Sequence, residues 1–312
     1  MNNRLKEYYS RLDNKLSISE HKGRIHFNVK EKLCIYGKEQ RDYTLNLMRN
    51  LSGWAIKENK PVHLNLKDCS DITASALVLL FGEVTRIKIH FENDMMVTVA
   101  LPSDAYLLDI LNQIGWTKAI NLDYRNLISL FENDDTFQTL SDPNKAMISI
   151  ACRLKNCGVV LNSPEAKVFS KGVNEAMLNV IHHAYNNEEK PLEGIGRRWW
   201  QACYVTESGS MVFIICDFGQ GILSSLPKDN LSERYEDHLA RAMAIGVTST
   251  DDKDRGKGSG DIVQAAEIRK DSTLFVASNN GIYGRIADSK IEKDESIIPM
   301  LGTVVEWEIS YE

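Results

Sequence analysis

The stretch that decides the fold is "NEAMLNVIHHAY", which spans Asn174–Tyr185. It contains alanine, methionine and leucine but neither glycine nor proline, so it is predicted to form a helix. At about 100° per residue, four polar side chains fall within one arc of roughly 100°: Glu175, Asn179, His182 and His183. An amphipathic helix whose polar stripe faces water would explain this arc. A helix whose polar stripe faces a bound ligand would also explain it, and the rest of the chain has to decide.

Length and composition limit the classes of protein that the chain can represent. Its 312 residues suggest about two domains, and 43% hydrophobic and 26% charged residues suit globular cores. The net charge of −6 argues against a broad nucleic-acid-binding surface. No apolar run approaches the ~18 residues of a membrane span, and the polar N-terminus lacks the apolar stretch of a signal peptide. We therefore expect a cytoplasmic protein with no nucleic-acid or membrane partner.

The cysteines point to neither a metal site nor a disulfide framework. None of them forms a CxxC pair, and their spacing matches no established zinc pattern. We expect reduced structural thiols at all six positions: Cys34, Cys69, Cys152, Cys157, Cys203 and Cys216.

An acidic, turn-prone stretch at residues 131–145 is the best candidate for a domain boundary, because its composition fits a surface connection. Before it, predicted strands at residues 61–66 and 95–102 alternate with two predicted helices, at 71–88 and at 103–116, the second with Ser103 as its N-cap. Strands that alternate with helices indicate an α/β unit.

After the boundary, the chain again mixes predicted helices and strands. Two strands flank a turn at Glu207-Ser208-Gly209, and a later helix has Ser232 near its start and Gly246 at its stop. A glycine-rich polar loop at residues 247–260 then leads into a helix at 261–270. Three strands close the chain, at residues 272–279, 281–287 and 302–310.

The motif "CDFGQGI" places Asp217, Gly219 and Gly221 directly after an apolar strand. A carboxylate at the end of a strand can accept a hydrogen bond from the exocyclic amine of a base. Alternating glycines can let the backbone approach a flat ring closely. An ordinary strand-to-turn junction would also read this way.

The motif "RGKGSGDI" places three alternate glycines before a helix: Arg255, Gly256, Lys257, Gly258, Ser259, Gly260 and Asp261. Backbone N–H groups at a helix N-terminus can hold phosphate, and the arginine and the lysine add positive charge. The motif is neither a Walker A loop nor a Rossmann turn, because no strand immediately precedes it and GK[ST] is absent. A flexible surface loop is the alternative interpretation.

Gly302-Thr303 opens the final strand, where a hydroxyl could meet an ordered water or a base.

Four elements follow one another along the chain: the Asn174–Tyr185 helix, the Asp217 motif, the glycine-rich motif and Gly302-Thr303. Their order resembles the GHKL ATPase superfamily, which includes gyrase, MutL, histidine kinases and anti-sigma-factor serine kinases. The resemblance covers roughly residues 140–312. It implies a Bergerat-type two-layer α/β sandwich that binds ATP, with Asp217 reading the adenine and the glycine-rich loop closing over the phosphates.

Within that superfamily, the pattern Glu175, Asn179, His183, Ala184, Tyr185 looks most like the anti-sigma-factor serine kinases. The resemblance implies that Asn179 coordinates Mg²⁺ and that Glu175 acts as a base or orients the attacking group. It also places His183 near the phosphates. An amide oxygen suits Mg²⁺, which takes oxygen ligands and few of them from protein.

Two positions depart from the family pattern. The family usually has apolar residues where this chain has Ser259 and Asp261, and a carboxylate close to a triphosphate is unfavourable unless it points away or caps the helix. A histidine-kinase interpretation is also disfavoured, because no phosphoacceptor-histidine helix is recognisable upstream.

The N-terminal half resembles the STAS domain, the fold of anti-sigma-factor antagonists, over about residues 20–125. When the two are aligned on Leu64 and Leu77, the family's phosphorylated serine falls on Ala74 and its glycine on Ala76. The usual phosphoacceptor is therefore missing, although residues with hydroxyl side chains are close to Ala74 in the sequence: Ser70, Thr73 and Ser75.

Together these patterns predict a STAS-like α/β regulatory or docking domain at residues 1–135 and a GHKL ATP-binding domain at 136–312. The expected function is a Mg-ATP-dependent signalling switch, a serine/threonine-protein kinase of the anti-sigma-factor type that acts on a regulatory protein partner. One alternative is an ATPase whose nucleotide cycle gates formation of a homodimer. The other is a non-enzymatic ATP-sensing scaffold.

Overall fold

A computed structural model describes residues 3–127, 135–185, 192, 194–206, 208–225, 233–244, 258–286 and 290–310. The chain is a mixed α/β protein with two sheets. The described residues up to 127, with 194 and 195, form one compact unit, and the others form a second. Several positions named above lie outside the described residues: Glu207, Ser232, Gly246, Arg255, Gly256 and Lys257.

The first unit is built on a four-stranded sheet in the order β1-β2-β3-β4. The strands are β1 (Ser19–His21), β2 (Arg24–Asn28), β3 (Val62–Asn65) and β4 (Val97–Ala100). β1 pairs antiparallel with β2, whereas β2, β3 and β4 are parallel. The helices are α1 (Asn3–Lys15), α2 (Lys38–Ser52), α3 (Ala74–Phe91), α4 (Ala105–Gln113), α5 (Trp116–Asn121) and α6 (Tyr124–Leu127).

The α/β character predicted for the N-terminal half is present, and several bounds differ: the helix predicted at 71–88 is Ala74–Phe91, and the strand predicted at 95–102 is Val97–Ala100. α3 is buried from Ser75 to Ile89, as expected of a crossover helix that packs on a parallel sheet. α4 begins one residue later than predicted, because Asp104 and not Ser103 is its N-cap. The Asp104 carboxylate accepts a hydrogen bond from the Leu107 N–H at 2.8 Å.

The second unit is built on a five-stranded antiparallel sheet in the order β5-β6-β7-β9-β8. The strands are β5 (Phe137–Leu140), β6 (Trp199–Val205), β7 (Ser210–Asp217), β8 (Thr273–Ile286) and β9 (Lys290–Ser310). The helices are α7 (Pro143–Asn156), α8 (Ser163–Asn179), α9 (Ile222–Ser225), α10 (Tyr235–Ala242) and α11 (Gly258–Ala265).

One core lies between the helices and one face of this sheet. Alternate residues of β7 point into it, among them Met211, Phe213 and Ile215, as the two-residue period of a strand requires. Phe169 of α8 packs edge-on against Phe213, with ring centroids 6.0 Å apart. The indole N–H of Trp307 in β9 donates to the Ile262 carbonyl at 2.9 Å, which attaches α11 to the sheet.

The predicted surface connection at residues 131–145 is wrong for residues 137–140, whereas Ser141, Asn144 and Lys145 are exposed as expected. The stretch contains β5, which is buried throughout and pairs with β6, and Asp142, which caps α7. The Thr139 hydroxyl of this strand donates to the Trp199 carbonyl at 3.0 Å inside the protein.

The closing strands also differ from prediction. The two short strands predicted at 272–279 and 281–287 form a single strand, β8, whose pairing with β9 shifts register between Ser278 and Gly281. β9 begins at Lys290, well before the predicted Gly302. None of the described helices is both long and apolar enough to cross a bilayer, and all six cysteines are free thiols.

Candidate functional site

The stretch Asn174–Tyr185 belongs to the end of α8 and its continuation, and the helix is irregular there. Asn162 caps it through a capping box with Glu165, and it continues beyond Asn179 as a π-helical turn, Val180–Ala184. The prediction of one regular helix through Tyr185 is therefore wrong, because a π turn changes the direction of every later side chain. Single π turns inside α-helices are frequent at functional sites.

The polar side chains of this helix do not share one environment. Asn179, His182 and His183 are exposed, whereas Glu175 is half-buried. The residues between them face the core, and Ala176, Met177, Val180 and Ala184 are buried. A water-facing stripe accounts for the exposed side chains, and it does not account for Glu175.

Glu175 is half-buried because the first turn of α11 lies against it. A Cβ atom at Gly258 would lie 2.6 Å from the Glu175 Oε2 atom, so only glycine fits there without displacing the carboxylate. Burial raises the pKa of Glu175, and the nearby Asp261 carboxylate raises it further. Lys171 and His182 act on this pKa in the opposite direction.

The predicted base-reading residue, Asp217, ends β7 and is 5% exposed. Its Oδ1 atom accepts a hydrogen bond from the Gly219 N–H at 2.8 Å. Burial raises the pKa of Asp217 to about 7, while hydrogen bonds from the backbone of Gly219 and Thr303 pull the pKa down. A buried carboxyl group with a strongly raised pKa is typical of functional sites, although structural networks also produce one.

The glycines around Asp217 allow protein backbones to approach one another. Gly302 has φ +76°, and a Cβ atom there would overlap the Asp217 carbonyl oxygen. A Cβ atom at Gly219 would overlap the Ala184 carbonyl oxygen. The prediction that these glycines make room for a flat ring stays a prediction, because the contacts present are with the chain itself.

The turn that follows Asp217 is held by two residues of β8. The Ser278 hydroxyl accepts from the Ile222 N–H at 2.8 Å, and the Asn279 amide accepts from the Leu223 N–H at 3.1 Å. The same hydroxyl lies 3.0 Å from the hydroxyl of Thr303. Sequence reasoning missed Ser278 and Asn279, although two polar residues that end an apolar strand were a usable signal.

The end of the α8 helix and the Asp217 turn are joined directly. The Gln220 N–H donates to the Ala184 carbonyl at 2.8 Å, and the Gln220 side chain donates to the His183 carbonyl at 2.6 Å. The Tyr185 hydroxyl donates to the Arg198 carbonyl at 3.2 Å and accepts from the Phe218 N–H at 3.3 Å. Two motifs whose contacting residues, His183 and Gln220, are 37 positions apart in the sequence thus form one continuous structure.

The described part of the glycine-rich motif is helical. Gly258 and Gly260 belong to the first turn of α11 and not to the predicted loop. Asp261 is buried and forms an ion pair with Lys171 of α8, with 2.6 Å between Nζ and Oδ1. The carboxylate that departs from the family pattern therefore faces a lysine, and the Ser259 hydroxyl donates to the Ala244 carbonyl at 3.3 Å.

The chain matches no protein-family model and no curated protein. Among solved structures it is similar to the histidine kinase domain of a blue-light activated histidine kinase from Erythrobacter litoralis EL346. The identity is 13%, the similarity covers 76% of this chain and 93% of that domain, and the TM-score is 0.26. A similarity this low establishes neither the detailed fold of this chain nor its function.

Proposed function

We propose that the second unit binds Mg-ATP and that the chain is an ATP-dependent signalling switch. In this proposal it is a serine/threonine-protein kinase of the anti-sigma-factor type, which phosphorylates a regulatory protein partner. The observation that carries the proposal is the buried Asp217 carboxyl group at the end of β7, joined through Gln220 to the end of the helix that holds Glu175.

Asp217 is suited to recognise the adenine base. A carboxylate held by two backbone donors is fixed in orientation, so an exocyclic amine that donates to it is selected by geometry. Thr303 pairs with Asp217 across the sheet and places a second polar group beside the carboxyl group. A base that lacks a donor would leave a buried carboxylate without its partner, and this costs affinity.

Asn179 is suited to hold Mg²⁺ together with the phosphates. Among the described residues, no group of three or more His, Cys, Asp or Glu side chains could hold a metal ion alone. Mg²⁺ usually keeps several waters and takes one or two protein ligands plus phosphate oxygens. The exposed Asn179 amide, one turn after Glu175, fits that ligand set. The bound ion would neutralise charge on the transferring phosphoryl group.

Glu175 is suited to accept a proton from the attacking hydroxyl group. Catalytic bases work best when their pKa lies near the working pH, and burial moves the pKa of Glu175 in that direction. Phosphoryl transfer depends mostly on positioning and charge neutralisation, so a base packed against the α11 backbone is a useful arrangement.

The proposal also assigns a GHKL-type Bergerat fold to the second unit and a STAS-like regulatory or docking role to the first. Parallel β2, β3 and β4 with the intervening helices are compatible with the latter. Of the hydroxyl side chains near the family's phosphoacceptor position, Ser75 is buried, Thr73 is half-buried and Ser70 is exposed. Ser70 is therefore the residue of the three that a kinase could reach.

The test follows the γ-phosphate of labelled ATP. Purified protein receives the nucleotide with Mg²⁺, beside the variants Glu175→Ala and Asp217→Asn, and label is counted as free and as protein-bound phosphate. Protein-bound label that both variants lose supports the kinase. Free phosphate alone, lost in Glu175→Ala, favours the dimer-gating ATPase. Nucleotide binding without turnover favours the scaffold, and unchanged ATP affinity in Asp217→Asn refutes the site.

A further inference from the structure

We propose that Lys171 and Asp261 form a latch that holds the first turn of α11 over Glu175 and neutralises a carboxylate beside the bound nucleotide. Both are positioning residues and neither contacts the reacting atoms. The electrostatic half of this inference rests on the proposed function, whereas the latch itself can be tested without nucleotide.

The ion pair joins α8 and α11 through two residues that are 90 positions apart in the sequence. The Lys171 side chain is 59% exposed and can be removed without opening the core, whereas the Asp261 side chain is only 6% exposed. A buried carboxylate that loses its cation is left poorly solvated. Loss of the ion pair should therefore disturb the packing around Asp261 more than the packing around Lys171.

The latch lies at a place where the helix backbones are in contact. A Cβ atom at Gly172, the residue after Lys171, would lie 2.6 Å from the Ala265 Cβ and 2.7 Å from the Asp261 carbonyl oxygen. The later part of α11 is attached separately, because the Ile262 carbonyl accepts from the Trp307 indole. The ion pair is thus the charged contact that holds the first turn, residues 258–261.

That first turn is what covers Glu175. Gly258 lies so close to the Glu175 carboxylate that any movement of the turn changes the surroundings of this side chain. A latch that holds the turn therefore fixes the position of the proposed base. It also explains how an acidic residue can occupy the first turn of a helix that is proposed to face phosphates.

The charges near Glu175 give the latch a second role. Asp261, Lys171 and His182 all act on Glu175, and Lys171 is the cation that contacts Asp261 directly. With Lys171 removed, Asp261 would add an unbalanced negative charge next to a triphosphate. Removing the carboxylate as well would restore the balance, so the two substitutions should not be additive.

The first experiment needs no nucleotide. Hydrogen exchange of residues 258–265 is compared in the wild-type chain and in Lys171→Ala, Lys171→Arg and Asp261→Asn. The informative amides are those of residues 262–265, because the first N–H groups of a helix have no acceptor within it and these later ones donate to the carbonyls of the first turn. Lys171→Ala and Asp261→Asn should each speed exchange of these amides about tenfold, which corresponds to a loss of roughly 1.4 kcal/mol. Lys171→Arg should keep wild-type protection. Lys167→Ala, an exposed lysine one turn earlier on α8, is the matched control. Unchanged exchange in Lys171→Ala would overturn the latch.

The second experiment measures ATP affinity in the same variants and in the double variant Lys171→Ala/Asp261→Asn. Lys171→Ala should weaken binding about tenfold, and adding Asp261→Asn should recover most of that loss. An equal loss from Lys171→Ala with and without Asp261→Asn would overturn the charge-balancing role. If the wild-type chain binds no ATP, the proposed function fails, and the exchange data still decide whether the latch exists.

Discussion

Replacing Asp217 by asparagine separates the folding of the second unit from its proposed binding of nucleotide. The wild-type carboxyl group is buried, and its pKa is raised to about 7 in the folded chain against 3.8 for an unperturbed aspartate. The folded state therefore holds this proton more tightly than the unfolded state does. Above pH 7 the buried group is charged and lowers the free energy of unfolding, and this penalty shrinks as the pH falls towards 3.8.

The size of the penalty follows from the shift in pKa. About three pH units at 1.36 kcal/mol each amount to a cost of about 4 kcal/mol at pH 8. Asparagine removes the charge but replaces one of the two carboxylate oxygens by an NH2 group that cannot accept, and a backbone donor of Gly219 or Thr303 left facing that group costs about 1 to 3 kcal/mol. Asp217→Asn should therefore stabilise the second unit by about 1 to 3 kcal/mol at pH 8 while it abolishes ATP binding.

The assay is urea unfolding at pH 8 and at pH 5, followed by pulsed hydrogen exchange of residues 211–217 so that the unit containing Asp217 is observed. Between the two conditions the advantage of Asp217→Asn should shrink by about 2.7 kcal/mol, because the wild-type carboxyl group becomes protonated below pH 7. A variant that is less stable than wild type by the same amount at both pH values would refute the reasoning about burial.

The remaining predictions concern other parts of the site. Gly302→Ala should destabilise the second unit by about 2 to 5 kcal/mol through left-handed strain and overlap with the Asp217 carbonyl. Gly158→Ala is the control, because Gly158 has φ +73° but a Cβ atom there would have nothing within 4 Å. In the same urea titration this variant should lose only about 1 to 2 kcal/mol of stability. Equal losses in the two variants would contradict the overlap. Glu175→Gln should reduce transfer of labelled phosphate about 10²-fold or more. Its ATP affinity, measured by calorimetry, should stay within about threefold of the wild-type value. Full activity in this variant would exclude Glu175 as the base. Tyr185→Phe should cost about 1 to 3 kcal/mol and speed exchange at residues 217–221, because the Phe218 N–H loses its acceptor; unchanged exchange would show that this hydrogen bond contributes nothing.

Features that depend on neighbouring residues could be predicted from the sequence. Asp217 lies at the end of a strand because an apolar run stops there at a glycine-containing turn, and the later part of α8 follows from its composition. β5 could not be predicted in the same way. Its four residues follow an acidic, turn-prone stretch, and they become a strand because β6 offers them hydrogen bonds.

Features that depend on distant pairs lie beyond such reasoning. Ser278 and Asn279 were visible as polar residues after an apolar run, but their contacts with the Asp217 turn join residues that are 56 positions apart, and no local pattern specifies those partners. The ion pair between Lys171 and Asp261 requires that two helices cross at Gly172, which no local pattern specifies. The sequence alone does not explain a carboxylate at Asp261, because the lysine that pairs with it is 90 positions away.

The hydrogen bond from the Gln220 N–H to the Ala184 carbonyl connects the π turn to the loop that follows Asp217, so two parts of the proposed site are in direct contact. The turn carries one end of the helix that holds Glu175 and Asn179, and Gln220 belongs to the loop that follows Asp217. This hydrogen bond joins main-chain atoms, so no side-chain substitution removes it. Deleting one residue of the turn, and so restoring an ordinary α-helix, would be the way to disconnect base recognition from phosphate chemistry.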